Sequence, residues 1–371
     1  MVTPTVTTGD DATAASSSVA SRIASAVGTL LPWRGVVAPW LVSRLLCAAI
    51  IVGARSWPFD AGLRFRGFQI WDGVWYTAIA RDGYGALPVG NLQTRWPFFP
   101  LVPGIMRGLG DLGLGDQGSM ILVNQLVLLI AFAGVYRIAQ RHASPRAASL
   151  AVWALAVFPA SFVFTMIYPS AIFLAATVWA FIFVEDRQDL AAAGTVVVAT
   201  LARPNGILLV VALALALRSW RRIALVCGPA IVAAAAWCGW LWDRTGDPLV
   251  FYSTKSAWPE VSVIDLLTEP WRYDYAWPHV MLAVAAGWVV WHQRRRLPVA
   301  WIAWTAVLLV PPLFTGTVGL GRYANDCFPP FVAAGQLLER WPSWARRTAF
   351  TLSVLGLVFA GVMVIRYHRI P

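Results

Sequence analysis

Stretches such as Ala148–Thr165, Ala171–Val184, Ile223–Trp242 and Ala349–Ile365 carry no charged residue. They approach or reach the ~20 residues that take a helix across a bilayer. Inside a membrane the backbone has no water to bond, so apolar blocks of this kind are committed to helix. Hydrophobic residues fill 58% of the 371 positions and charged residues 13%, whereas a soluble domain carries about 25% charge. The chain lacks the polar surface that water requires, and the pattern predicts an all-α polytopic membrane protein.

A net charge of +11 in a soluble protein would point to nucleic acid. Here the arginines cluster between apolar blocks, where cytoplasmic loops are expected, so membrane lipids rather than nucleic acid are the expected partners. Cys47, Cys227, Cys238 and Cys327 sit in or beside apolar blocks without metal-ligand spacing, and they read as small buried hydrophobes. The first residues are rich in Thr, Ser and Ala, with Asp10 and Asp11 and no basic n-region. Residues 1–32 are therefore expected to form a disordered cytoplasmic tail rather than a signal peptide, and residues 33–371 a single transmembrane domain.

About 11 spans are expected, near 36–54, 119–137, 148–165, 169–184, 189–201, 205–217, 222–242, 277–292, 298–313, 326–338 and 349–365. One orientation puts Arg137, Arg141 and Arg146, Arg218, Arg221 and Arg222, Arg294–Arg296, and Arg340, Arg346 and Arg347 on the same side. Basic residues there outnumber acids by more than two to one, while the opposite side is near parity. The basic side is then cytoplasmic, with the N-terminus inside, as expected for an integral plasma-membrane protein. Two long polar segments face outward, from Arg55 to about Gly118 and from Asp243 to about Trp277. The first contains Phe98–Met106, too short to span, which reads as a re-entrant or interfacial helix entered through Trp96-Pro97 and flanked by aromatic anchors.

The first outer loop holds the most informative run, Trp71-Asp72-Gly73-Val74-Trp75-Tyr76-Thr77-Ala78-Ile79-Ala80-Arg81-Asp82-Gly83-Tyr84. Trp71, Trp75, Ala78 and Ile79 share one helical face, so an amphipathic helix can lie along the membrane surface. Asp72 opens that helix, where its carboxylate fits either an N-cap or a catalytic role. Asp82, before Gly-Tyr, reads as a turn former.

The pattern Trp-Asp-Gly-x-Trp-Tyr-x-x-Ile-Ala-x-x-Gly-Tyr, followed by Phe98-Phe99-Pro100-Leu101-Val102-Pro103, resembles the PIG-V type mannosyltransferases and their bacterial relatives. Tyr168-Pro169-Ser170, Arg203-Pro204-Asn205-Gly206, Gly246-Asp247-Pro248-Leu249 with Trp258, and Gly321-Arg322-Tyr323 continue the resemblance in order. The eukaryotic pattern usually has His-Phe where this chain has Trp75-Tyr76, so the acceptor does not carry over. The resemblance implies a membrane-integral C-type glycosyltransferase with an acidic residue in its first outer loop and a polyprenyl-phosphate sugar as donor. It favours Asp72 as the catalytic carboxylate, with no cofactor and no metal. The reaction implied is transfer of mannose from polyprenyl-phosphate-mannose to a glycolipid or envelope glycan, extracytoplasmically and with inversion to an α-linkage.

An attacking hydroxyl needs a carboxylate to take its proton, and the departing phosphate needs positive charge rather than a second carboxylic acid. Arg203, between two apolar stretches beside a Pro-Asn-Gly break, is the first candidate for that charge. Arg322, after a glycine-rich turn, Lys255 and Arg95 are others. Trp71, Trp75, Tyr76, Tyr168, Asn205, Asp247, Trp258 and Tyr323 are candidate substrate contacts, although an interfacial aromatic belt also explains many of the outer aromatics. His142, His279, His292 and His368 show no clustering and are read as structural. The same fold could use arabinose or glucose. A transporter or flippase would need ionisable residues near mid-bilayer in several spans, and a non-enzymatic partner of an envelope synthase would tolerate loss of Asp72.

Overall fold

The computed structural model of the protein describes residues 31–56, 70–87, 92–115, 117–258 and 261–367. The expected tail lies outside the described residues except for Leu31 and Pro32, as do His368, Glu260 and part of the first outer loop. Among the described residues the chain is helical and forms no strand.

Each of the eleven expected apolar segments is helical, but they differ in length. Among the described residues, four helices are long and apolar enough to cross a membrane by themselves: Trp33–Ala54, Gln117–His142, Trp220–Thr245 and Ser343–Ile365. The segment expected to span at 148–165 is not one straight helix. Pro145–Ala156 and Pro159–Thr165 meet at a bend of 72°. Pro159 lacks the N–H that would continue the ladder, and it drives Phe158 out of helical conformation (ψ 139°). Ser170–Glu185, Asp189–Ala202 and Val299–Thr315 are shorter apolar helices. Length alone therefore supports a smaller number of independent spans than the hydrophobic blocks suggested.

Local chemistry sets several boundaries. The Ser144 hydroxyl accepts from the Ala147 amide, and Pro145 occupies the first turn that follows. Gly246, left-handed at φ 74°, closes helix Trp220–Thr245. Ser262 and Asp265 form a reciprocal capping box in the second outer segment.

Helix Ser170–Glu185 is buried along nearly its whole length. It packs between Gln117–His142 and Asp189–Ala202, and the latter packs in turn on Trp220–Thr245. Helix Phe328–Arg340 lies on Pro145–Ala156, and Ser343–Tyr367 covers Ala38–Ser56 and the bent segment Pro159–Thr165. The exterior stays apolar: Leu352, Leu355 and Phe359 are exposed along one face of the last helix, and Leu122, Leu126 and Ile130 along another. Water would not support such faces; lipid does.

The two ends of the bundle differ. At one, Arg137 and Arg141 pair with Glu185 and Asp186, Arg222 pairs with Asp189, and Ser144 donates to Glu339. This is the Arg-rich end that the charge pattern assigned to the cytoplasm. At the other end, Asp72–Asp82 and Leu101–Asp111 pack on each other above the start of helix Ser170–Glu185 and the break at Arg203.

Candidate active site

Helix Asp72–Asp82 begins one residue earlier than a capping role requires. Asp72 is its first helical residue, and the preceding Trp71 occupies the cap position in the left-handed region (φ 57°, ψ −125°) with no side-chain cap bond. A bulky residue with positive φ is a strained conformation that its surroundings must enforce. The surroundings here are explicit. The Asp72 amide donates to the Tyr168 hydroxyl at 3.0 Å, and Arg322 Nη1 donates to Asp72 Oδ2 at 2.7 Å. The Asp72 carboxylate is thus free of capping and held by an arginine 250 residues away.

Arg322 lies on the short helix Leu320–Asn325, with its guanidinium carbon 5.2 Å from the centre of the Tyr168 ring. Burial alone would lower its pKa. The negative charge of Asp72, with Tyr168, Tyr323 and Tyr76 around it, outweighs that and raises it above the ordinary value. Burial, reinforced by the Asp72 charge, pushes the phenols of Tyr76 and Tyr168 up. Both tyrosines are therefore neutral hydrogen-bonding groups at any physiological pH.

One turn beyond Arg322, Asp326 is 0% exposed and pairs with Arg203, itself 6% exposed. Arg203 also donates through Nη2 to Ser170 Oγ at 2.7 Å, and its charge lies over the rings of Phe173 (5.4 Å) and Tyr323 (5.9 Å). The result is an alternating series of charges, Asp72, Arg322, Asp326, Arg203, reaching from this end of the bundle inward. Sequence reasoning missed Asp326. Its signal was an acid at the very start of an apolar segment, four residues after Arg322. Arg203 was expected to offer its charge to the donor phosphate; here that charge is paired with Asp326, as an arginine buried this deeply requires.

The break that carries Arg203 depends on one close approach. A Cβ on Gly206 would fall 1.9 Å from the Ala199 carbonyl oxygen, so only glycine lets the turn Pro204–Leu208 fold back on helix Asp189–Ala202. Asn205 sits half-buried in that turn.

The aromatic candidates form a second, adjoining layer. Trp75 stacks with Phe98 (5.9 Å) and meets Trp258 edge-on (5.5 Å), while Tyr76 packs edge-on against Phe98 (5.3 Å). Trp75 and Trp258, from the two outer segments, therefore touch. The indole N–H groups of Trp71 and Trp258 are buried without a partner among the described residues.

Other candidates stand apart from Asp72. Arg95 donates to the Gly83 carbonyl (2.8 Å) and pairs with Asp82 (3.3 Å), so it fastens the loop after helix Asp72–Asp82. Both Asp247 carboxylate oxygens are engaged locally, by the Leu249 amide and the Ser253 hydroxyl. Lys255 reaches the Thr315 carbonyl at 3.3 Å, at the rim of the glycine-rich turn. Among the histidines, His142 pairs with Glu185 at the Arg-rich end. His279, read from the sequence as structural, is buried against the helix of Arg322 at the site end.

Residues 97–240 match the family model for dolichyl-phosphate-mannose-protein mannosyltransferases. That match includes Tyr168 and Arg203 but neither Asp72 nor Arg322. No curated protein sequence matches the chain significantly. The crystal structure of ArnT from Cupriavidus metallidurans bound to undecaprenyl phosphate superposes with a TM-score of 0.55 at 16% identity, covering 84% of this chain. The two chains share a fold. The apo form of the same ArnT gives a TM-score of 0.53 at 16% identity, covering 87% of this chain and 64% of that one. This chain spans only 62% of the length of the undecaprenyl-phosphate-bound ArnT. The oligosaccharyltransferase AglB from Archaeoglobus fulgidus, in complex with an inhibitory peptide and a dolichol-phosphate, matches more distantly, with a TM-score of 0.46 at 12% identity over 91% of this chain and 56% of that one.

Proposed function

We propose that this protein is an extracytoplasmic glycosyltransferase that moves mannose from polyprenyl-phosphate-mannose to a glycolipid or envelope glycan, with inversion to an α-linkage. The observation that carries the reading is the Asp72 carboxylate, uncapped and held at 2.7 Å by Arg322 at the end of the bundle remote from the basic loops. The ArnT fold, seen with undecaprenyl phosphate in that protein, and the partial match to dolichyl-phosphate-mannose-dependent enzymes support a lipid-phosphate donor.

In this mechanism the acceptor hydroxyl oxygen attacks C1 of the sugar as the C1–O bond to phosphate breaks. The hydroxyl proton passes to Asp72, and the bonding pair leaves on the phosphate. Arg322 uses one of its five donors on Asp72, leaving others for the leaving phosphate. It thereby sets the distance between base and leaving group. Tyr168 fixes the backbone of Asp72, and the Trp75–Phe98–Trp258 layer offers aromatic faces to a sugar ring. Because an arginine supplies the charge that the phosphate needs, no divalent metal is required, and a chelator should leave the rate unchanged.

Purified protein reconstituted with total membrane lipid and radiolabelled polyprenyl-phosphate-mannose should transfer label to lipid or glycan. Transfer from the arabinose or glucose donor instead would keep the chemistry and overturn the sugar. Transfer from none of the three would overturn the glycosyltransferase reading.

A further inference from the structure

His279 lies in the first turn of helix Trp277–His292, at the site end of the bundle, and is 1% exposed. Neither ring nitrogen has a hydrogen-bond partner among the described residues. A neutral imidazole has one donor and one acceptor, and burying both unmet is costly. A charged group nevertheless lies near the buried ring. The ring lies against Gly321, where a Cβ would come within 2.9 Å of Nδ1, and Gly321 precedes Arg322 on the same helix. Arg322 Nε is likewise buried and unpartnered, and the guanidinium lies within electrostatic range of the ring.

Two unmet hydrogen-bonding groups, one charged, therefore lie within electrostatic range of each other beside the Asp72–Arg322 pair. A ligand with several acceptor oxygens satisfies both. A carboxylate is disfavoured because Asp72 already occupies Arg322 Nη1. We propose that His279 is a phosphate-binding residue, donating a ring N–H to the phosphate of the lipid donor while Arg322 Nε donates to the same group. The proposal rests on the lipid-phosphate reading above and adds a ligand to it. Gly321 is then required for space: any side chain there would displace the imidazole from the phosphate.

The test is binding of radiolabelled short-chain polyprenyl phosphate, without sugar, to the full-length protein in nanodiscs. The matching polyprenol, which lacks the phosphate, serves as control. His279→Leu removes both hydrogen-bonding atoms, His279→Gln keeps a donor, and Arg322→Gln reports on the site as a whole. The expected result is about tenfold or greater weakening by His279→Leu, at most about threefold by His279→Gln, and unchanged polyprenol binding in both. Equal polyprenyl-phosphate binding by wild type and His279→Leu, with Arg322→Gln still impaired, would overturn the role of His279 and leave the donor reading intact. Parallel loss of polyprenol binding would make His279 a packing residue and overturn the proposal too. No binding of polyprenyl phosphate by wild type would overturn both.

Discussion

Asp72 is the residue on which the chemistry turns, and its surroundings separate two roles that the pattern alone left open. A cap would bond the amides of its own first turn; this carboxylate instead bonds Arg322. Arg322→Gln should reduce transfer by about 10²-fold or more, because charge on the leaving phosphate then goes unmet. Arg322→Lys should recover only part of it, since an ammonium cannot hold carboxylate and phosphate through a fixed fork. Initial rates with the radiolabelled donor check both. Tyr168→Phe removes the acceptor for the Asp72 amide and should cost about 1–3 kcal/mol of stability, read as a lower Tm. Sequence reading named Asp72, Arg322 and Tyr168 but could not pair them, because a contact across 250 residues leaves no local trace. Asp326 escaped it for a related reason: an acid beside an apolar segment reads as a boundary until its partner is known.

Among the elements, the break at Arg203 was legible and its purpose was not. Pro-Asn-Gly between two apolar runs announces an interruption, yet only the fold shows Arg203 turned toward Asp326. Removing one partner from this buried pair should be far worse than removing both. Asp326→Asn or Arg203→Met alone should each cost about 3–5 kcal/mol, and an Arg203→Met/Asp326→Leu double variant much less than the sum. Thermal unfolding in detergent gives the cycle, and additive losses would show that the pair is not coupled. Gly206→Ala drives a Cβ into the Ala199 carbonyl and should cost at least about 1–3 kcal/mol, visible as poorer thermal stability. The bend before Pro159 is a feature that hydrophobic length does not reveal: an uncharged run of spanning length contains a 72° turn, because hydropathy does not register a proline's effect on the helix ladder.

The whole molecule is a helical bundle whose net-basic loops gather at one end and whose candidate catalytic groups gather at the other. The membrane character and the separation of the two ends followed from composition and charge; the span count did not, since several apolar helices are too short to cross alone. Cysteines placed at Trp271 and at Arg295 should be labelled by an impermeant reagent from opposite sides, the first from outside, if the positive-inside orientation holds. The most direct test of the account is label transfer from polyprenyl-phosphate-mannose by wild-type and Asp72→Asn proteins matched for insertion and thermal stability. Asparagine keeps the size of the side chain and a contact to Arg322 but takes no proton. Wild type should transfer label robustly and the variant about 10²–10⁴-fold less; equal transfer by the two would rule out Asp72 as the base.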